Sequence, residues 1–107
     1  MGSKERVEIA ERVCAAMEWK IKDVCHDDVV AYVPLDGKSY EAKRVLSHDV
    51  AAVLRAEVRR RYKTREFGKA LDAFTYSGWD RTVGDETWRI ANASPDDTAR
   101  AFLEVMA

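Results

Sequence analysis

Val29-Val30-Ala31-Tyr32-Val33-Pro34-Leu35-Asp36-Gly37-Lys38-Ser39-Tyr40-Glu41-Ala42-Lys43-Arg44-Val45 is the stretch that decides the fold class of this chain. Val29 to Val33 is a β-branched and aromatic run that stops at a proline. Leu35 to Lys38 then carries turn chemistry, with Gly37 free to take positive φ. From Ser39 to Val45 the chain resumes as a second extended segment, so the whole reads as an antiparallel β-hairpin. Directly after it, Ser47-His48-Asp49 opens a helix. Ser47 stands as N-cap, Asp49 lies in the first turn, and Val50, Val53, Leu54 and Val58 repeat at helical spacing. A hairpin feeding an amphipathic helix places the chain in the α+β class.

Toward the N-terminus, Ala10, Val13, Cys14, Met17 and Ile21 recur at three- and four-residue spacing. This predicts a helix over about 4–18 with Ser3 as its N-cap. From Trp19 the pattern shortens to an alternation that runs into the polar cluster Cys25-His26-Asp27-Asp28. Toward the C-terminus, residues 64–78 fit two periods. Phe67, Leu71 and Phe74 suit a helix, whereas Phe74-Thr75-Tyr76 before Ser77-Gly78 favours a strand at the end of the segment. Gly84-Asp85 reads as a turn and Thr87 to Ala91 as a strand with Trp88 and Ile90 on one face. Ser94-Pro95-Asp96-Asp97 is the clearest helix start in the chain, and Ala99, Phe102, Val105 and Met106 turn inward behind it. The expected fold is therefore α+β: three helices packed on an antiparallel sheet of two hairpins, in the order α-ββ-α-ββ-α, as one domain over 1–107.

Composition supports a packed domain. The chain has 107 residues, 47% of them hydrophobic and 35% charged, with 18 Lys and Arg against 19 Asp and Glu for a net charge of −1. A chain of this length can bury about two-thirds of its surface, enough for a core without disulfide or metal staples. The apolar content and near-zero charge argue against disorder. No apolar run approaches the roughly 20 residues of a membrane span, so no membrane contact is expected. Met1-Gly2-Ser3-Lys4-Glu5-Arg6 has no apolar signal core behind it, and two cysteines form at most one disulfide. Together these predict a cytoplasmic protein.

Few residues assemble into a chemical motif. Neighbouring residues on an extended chain point to opposite faces, so Cys25-His26-Asp27-Asp28 could bring at most two ligands to one ion; a solvated loop is the simpler reading. Ser47-His48-Asp49 contains the letters of a hydrolytic triad, but contiguous residues at a helix start cannot line up as a relay, and capping accounts for them. Cys14 lies on an apolar stripe and reads as a small buried hydrophobe. No catalytic residue, metal site or cofactor is expected, and the chain does not read as an enzyme. The basic tract says more. Between Arg55 and Lys69 seven cations stand against Glu57 and Glu66, whereas Asp80, Asp85, Glu86, Asp96 and Asp97 outnumber Arg81 and Arg89 further on. A solvated helix end, a phosphate-binding surface with Tyr62 stacking on a base, and a surface for an acidic protein all fit the tract. Trp79, between Gly78 and Asp80 in a turn, is a candidate anchor.

Two stretches carry a family resemblance. One is Ile9-Ala10-Glu11-Arg12-Val13-Cys14-Ala15-Ala16-Met17-Glu18-Trp19, a short helix running into a Trp. The other pairs Ser47-His48-Asp49-Val50-Ala51-Ala52-Val53-Leu54 with the segment from Thr87 through Trp88 to Ser94-Pro95-Asp96-Asp97 and Leu103. Together they resemble the small phage "ABA sandwich" domain proteins. That resemblance implies a phage or prophage origin and an accessory role, and it carries over no catalytic residues. The expected function is then stoichiometric inhibition of a host or defence-system protein, of the anti-CRISPR type, by occlusion. Arg59, Arg60, Arg61, Tyr62, Lys63, Arg65 and Trp79 would form the contact surface. The alternative is a nucleotide or nucleic-acid binding module using Arg59 to Arg65, although the net charge of −1 makes nucleic acid the less expected partner.

Overall fold

The apolar alternation of Val29, Ala31 and Val33 becomes the buried face of a central strand. The computed structural model describes residues 2–34, 39–75 and 93–106. In it Val29–Pro34 forms β2, with those three residues fully buried and Val30, Tyr32 and Pro34 half-buried on the other face. On one side β2 pairs antiparallel with β3, Tyr40–Arg44, in the register Val30 to Arg44 through Pro34 to Tyr40. This is the expected hairpin; its turn, 35–38, lies outside the described residues. On the other side β2 pairs antiparallel with β1, Ile21–Val24, across an irregularity between Ile21 and Asp23. The sequence reading did not predict β1, and the reason is physical. All four of its residues are exposed, so no apolar face marked it.

Four helices accompany this sheet among the described residues. The first, α1, spans Ser3–Met17 and buries Ile9, Ala10, Val13 and Cys14. Its N-cap is Gly2, and Ser3, expected as the cap, is the first helical residue. Glu18 closes α1 in the left-handed region at φ 59°, and the Trp19 N–H donates to the Cys14 carbonyl at 2.9 Å. That six-to-one bond delivers Trp19 into the core, 8% exposed. Next, α2 spans His48–Arg60, and the Ser47 hydroxyl accepts from the Val50 N–H at 3.3 Å as its cap. Then α3 spans Thr64–Thr75. Here the structure corrects the expectation: Phe74 and Thr75 continue a helix where a strand was read. The helical period that buries Phe67 and Leu71 outlasts the short β-prone tripeptide. Last, α4 spans Pro95–Met106, capped by the Ser94 hydroxyl, which accepts from the Asp97 N–H at 3.1 Å.

Among the described residues the architecture is thus α+β, with four helices and a three-stranded antiparallel sheet in the order α-βββ-α-α-α, which differs from the expected α-ββ-α-ββ-α. The predicted strand Thr87 to Ala91 and the turn at Gly84-Asp85 lie outside the described residues. Helix α4 is the hub, packing on α1, α2 and α3, while α1 packs on β1 and β2. Thr98, Ala99, Ala101, Phe102 and Leu103 are all buried along α4, a face too wide for one neighbour and suited to three.

Candidate functional site

The turn from α2 into α3 gathers the basic tract at one corner of the molecule. Helix α2 stops in a Schellman arrangement. The Lys63 N–H donates to the Val58 carbonyl at 3.0 Å and the Tyr62 N–H to the Arg59 carbonyl at 3.1 Å. The residue that makes this possible is Tyr62, at φ 59°. A left-handed conformation costs a residue with a Cβ roughly 1–2 kcal/mol, which is why glycine usually holds this place. Tyr62 recovers none of that by packing, since it is 93% exposed. Held in solvent by a strained turn, this aromatic ring is the most exposed large hydrophobic side chain among the described residues.

The cations around Tyr62 fall into two sets. Arg60 donates through Nε to Glu57 Oε2 at 3.0 Å and through its guanidinium fork to Oε1, while Arg61 Nε donates to the same Oε1 at 2.7 Å. The Glu57 side chain is only 14% exposed, and these bonds, that of Arg60 foremost, hold its carboxyl down to about 2. By contrast Arg59, Lys63 and Arg65 are exposed and make no ion pair among the described residues; Lys69, one turn beyond Arg65 on α3, is likewise exposed. Two acids of the segment that follows the tract are engaged away from this corner. Asp96 pairs with Arg6 of α1 at 2.7 Å, and Asp97 lies 3.9 Å from Arg100 on its own helix. Asp80, Asp85 and Glu86 lie outside the described residues, as does Trp79. Six of the seven candidate contact residues therefore share one corner.

The other constellations resolve into structure. Asp28 overturns the reading of its cluster as a solvated loop, for it is fully buried. Its carboxylate accepts from the Val29 N–H at 2.7 Å, the Leu46 N–H at 3.1 Å and Arg44 Nε at 3.2 Å. Asp27 pairs with Arg44 at 2.9 Å, and its carbonyl accepts from Arg6 Nε at 3.1 Å. Among the described residues no group of three or more His, Cys, Asp or Glu is placed to hold a metal ion. Cys14 is buried, and burial foremost, with the Asp28 charge behind it, pushes its thiol up to about 11, away from nucleophilic use. At the triad letters, Ser47 donates to the Arg44 carbonyl at 2.6 Å while capping α2, and Asp49 pairs with Lys43 at 3.1 Å. A groove of about 350 Å³ runs between α1 and α4, with Glu5, Glu8, Arg12 and Glu104 over Ile9 and Leu103. Its charges are of both signs.

Sequence reasoning counted Glu57 only as a charge. Its spacing of three and four residues from Arg60 and Arg61 was the signal that it binds both. Nothing in the sequence marked Tyr62 as left-handed. Comparison of the chain with family models, with curated proteins and with solved structures finds no match. No described helix is long and apolar enough to cross a membrane.

Proposed function

We propose that this protein is a non-enzymatic binding protein that covers an acidic surface of another protein, one to one, with its α2–α3 corner. The observation that carries this reading is Tyr62, which is 93% exposed at φ 59° beside the exposed cations Arg59, Lys63 and Arg65, which make no ion pair among the described residues. Stability alone does not maintain such an arrangement. A helix C-terminus gains only about 0.3–1 kcal/mol from a nearby cation, and like charges at close spacing repel. An acidic partner offsets both terms, and the ring supplies apolar contact at the centre of the charged ring. On the resemblance to phage accessory proteins, the partner is a host or defence-system protein and the outcome of binding is inhibition by occlusion, as in an anti-CRISPR-type protein. A second reading, phosphate binding by the same cations, is favoured by Asp96 and Asp97 being engaged away from the corner.

The test compares wild type with the variant Tyr62→Ala/Arg59→Glu/Lys63→Glu in affinity capture from a bacterial lysate, followed by titration of the captured protein. The expected result is a stoichiometric complex that the variant weakens at least tenfold, about 1.4 kcal/mol. A partner that binds the variant as well as wild type places the contact surface elsewhere. Capture of nucleic acid in place of protein transfers the corner to the second reading.

A further inference from the structure

Glu57 sits inside the basic tract with its side chain only 14% exposed and its two oxygens engaged by Arg60 and Arg61. One carboxylate can serve both because residues three and four positions further along a helix share its face. The consequence is a division of labour. Guanidinium groups already bound to a carboxylate of the same chain are partly compensated, so a phosphate must compete for them. Affinity for a nucleic-acid backbone depends on the number of cations free to neutralise phosphates, because each releases counterions and steepens the salt dependence. A folded acidic protein surface offers fewer, fixed carboxylates, and recognition there depends on where the cations stand. Tethering two of them lowers the first kind of binding more than the second.

We propose that Glu57 is a specificity-determining residue: it keeps Arg60 and Arg61 from polyanions, so that the corner presents Arg59, Tyr62, Lys63 and Arg65 to a protein partner. This rests on the reading of the corner as a protein-binding surface. Glu57 touches no ligand itself and acts through the two arginines it positions. The tract contains its own control in Glu66, an exposed acid in the first turn of α3 that binds no cation among the described residues. Neutralising either acid changes the net charge by the same unit. Only Glu57→Gln releases two guanidinium groups.

The probe is a duplex DNA of about 20 base pairs and arbitrary sequence, titrated by fluorescence anisotropy between about 50 and 200 mM salt. Glu57→Gln is expected to bind it at least fivefold more tightly than Glu66→Gln, with a log–log salt slope steeper by about 1–2. Adding Arg60→Gln and Arg61→Gln to Glu57→Gln removes the excess. In the otherwise native chain, Arg60→Gln/Arg61→Gln changes duplex affinity less than twofold, whereas Arg59→Gln/Lys63→Gln lowers it more; this comparison holds even if Glu57→Gln folds poorly. Equal affinities and slopes for Glu57→Gln and Glu66→Gln overturn the proposal, as does an excess that survives loss of both arginines. The wild-type titration decides the underlying reading separately. Tight duplex binding at physiological salt removes the protein partner, while the comparison of the two neutralised acids still decides the role of Glu57.

Discussion

Asp28 does more for this structure than any other polar side chain described. It is fully buried, and it ties the start of β2 to the approach of α2 by accepting from the Val29 and Leu46 N–H groups while Arg44 balances its charge. Buried carboxylates persist only when paired and hydrogen-bonded, and removing one leaves its donors buried and unsatisfied at about 1–3 kcal/mol each. Arg44 has 54% of its side chain exposed, so water can take up its guanidinium; the two backbone donors have no such recourse. Asp28→Ala is therefore expected to cost about 2–5 kcal/mol and to lower Tm by more than about 10 °C, measured by circular-dichroism melting. A loss of only a degree or two would mean that water replaces the carboxylate. Thr98 is the contrast, buried on α4 with no hydrogen-bond partner for its hydroxyl among the described residues. From the sequence Asp28 was indistinguishable from Asp27. Both follow His26 in a polar run, and burial of the second is set by contacts with Arg44 and Leu46, 16 and 18 residues away.

The helix ends divide into those the letters announce and those they hide. Ser47 and Ser94 cap α2 and α4 as their sequence context indicates, because N-caps depend on one hydroxyl and the next turn. The C-termini of α1 and α2 carry no glycine, yet both end on a left-handed residue, Glu18 and Tyr62, each at φ 59°. Sequence reading sees a Schellman stop chiefly through glycine, so these two passed unmarked. The same locality explains β1 and α3. An exposed strand such as Ile21–Val24 leaves no alternation to read, and the end of α3 is decided by a buried stripe begun at Phe67 rather than by Phe74 and Thr75 themselves. The twin stops yield a paired expectation. Glycine relieves the Cβ strain at either position and gives back part of the gain as unfolded-chain entropy, for a net of about 0.5–1 kcal/mol and a few degrees of Tm. Glu18→Gly should leave partner binding unchanged, whereas Tyr62→Gly should stabilise the fold and weaken binding. If both variants stabilise and bind as wild type, Tyr62 is a helix stop and nothing more.

At the scale of the molecule, Glu57 and Cys14 bound a pH window within which their own contribution to stability is constant. Glu57 is held at about 2 by Arg60 and Arg61, below its ordinary 4.5. A carboxyl with a lowered folded pKa stabilises above its unfolded value, so its contribution is complete above about pH 4.5 and is lost as pH falls toward 2. Cys14 runs the other way. Burial raises its thiol from 9.0 to about 11, so the unfolded chain ionises first, and stability declines as pH rises from 9 toward 11. Between these limits neither group changes its proton count, and their joint contribution is flat. The two limbs also have separate origins, one at the exposed α2–α3 corner and the other in the core beneath α1. Urea unfolding across the pH range should therefore show a plateau whose acid limb is shallower in Glu57→Gln and whose alkaline limb is shallower in Cys14→Ala, each leaving the opposite limb in place. An acid limb unchanged by Glu57→Gln would show that Arg60 and Arg61 do not hold that carboxylate in solution, and the division of cations at the corner would fall with it.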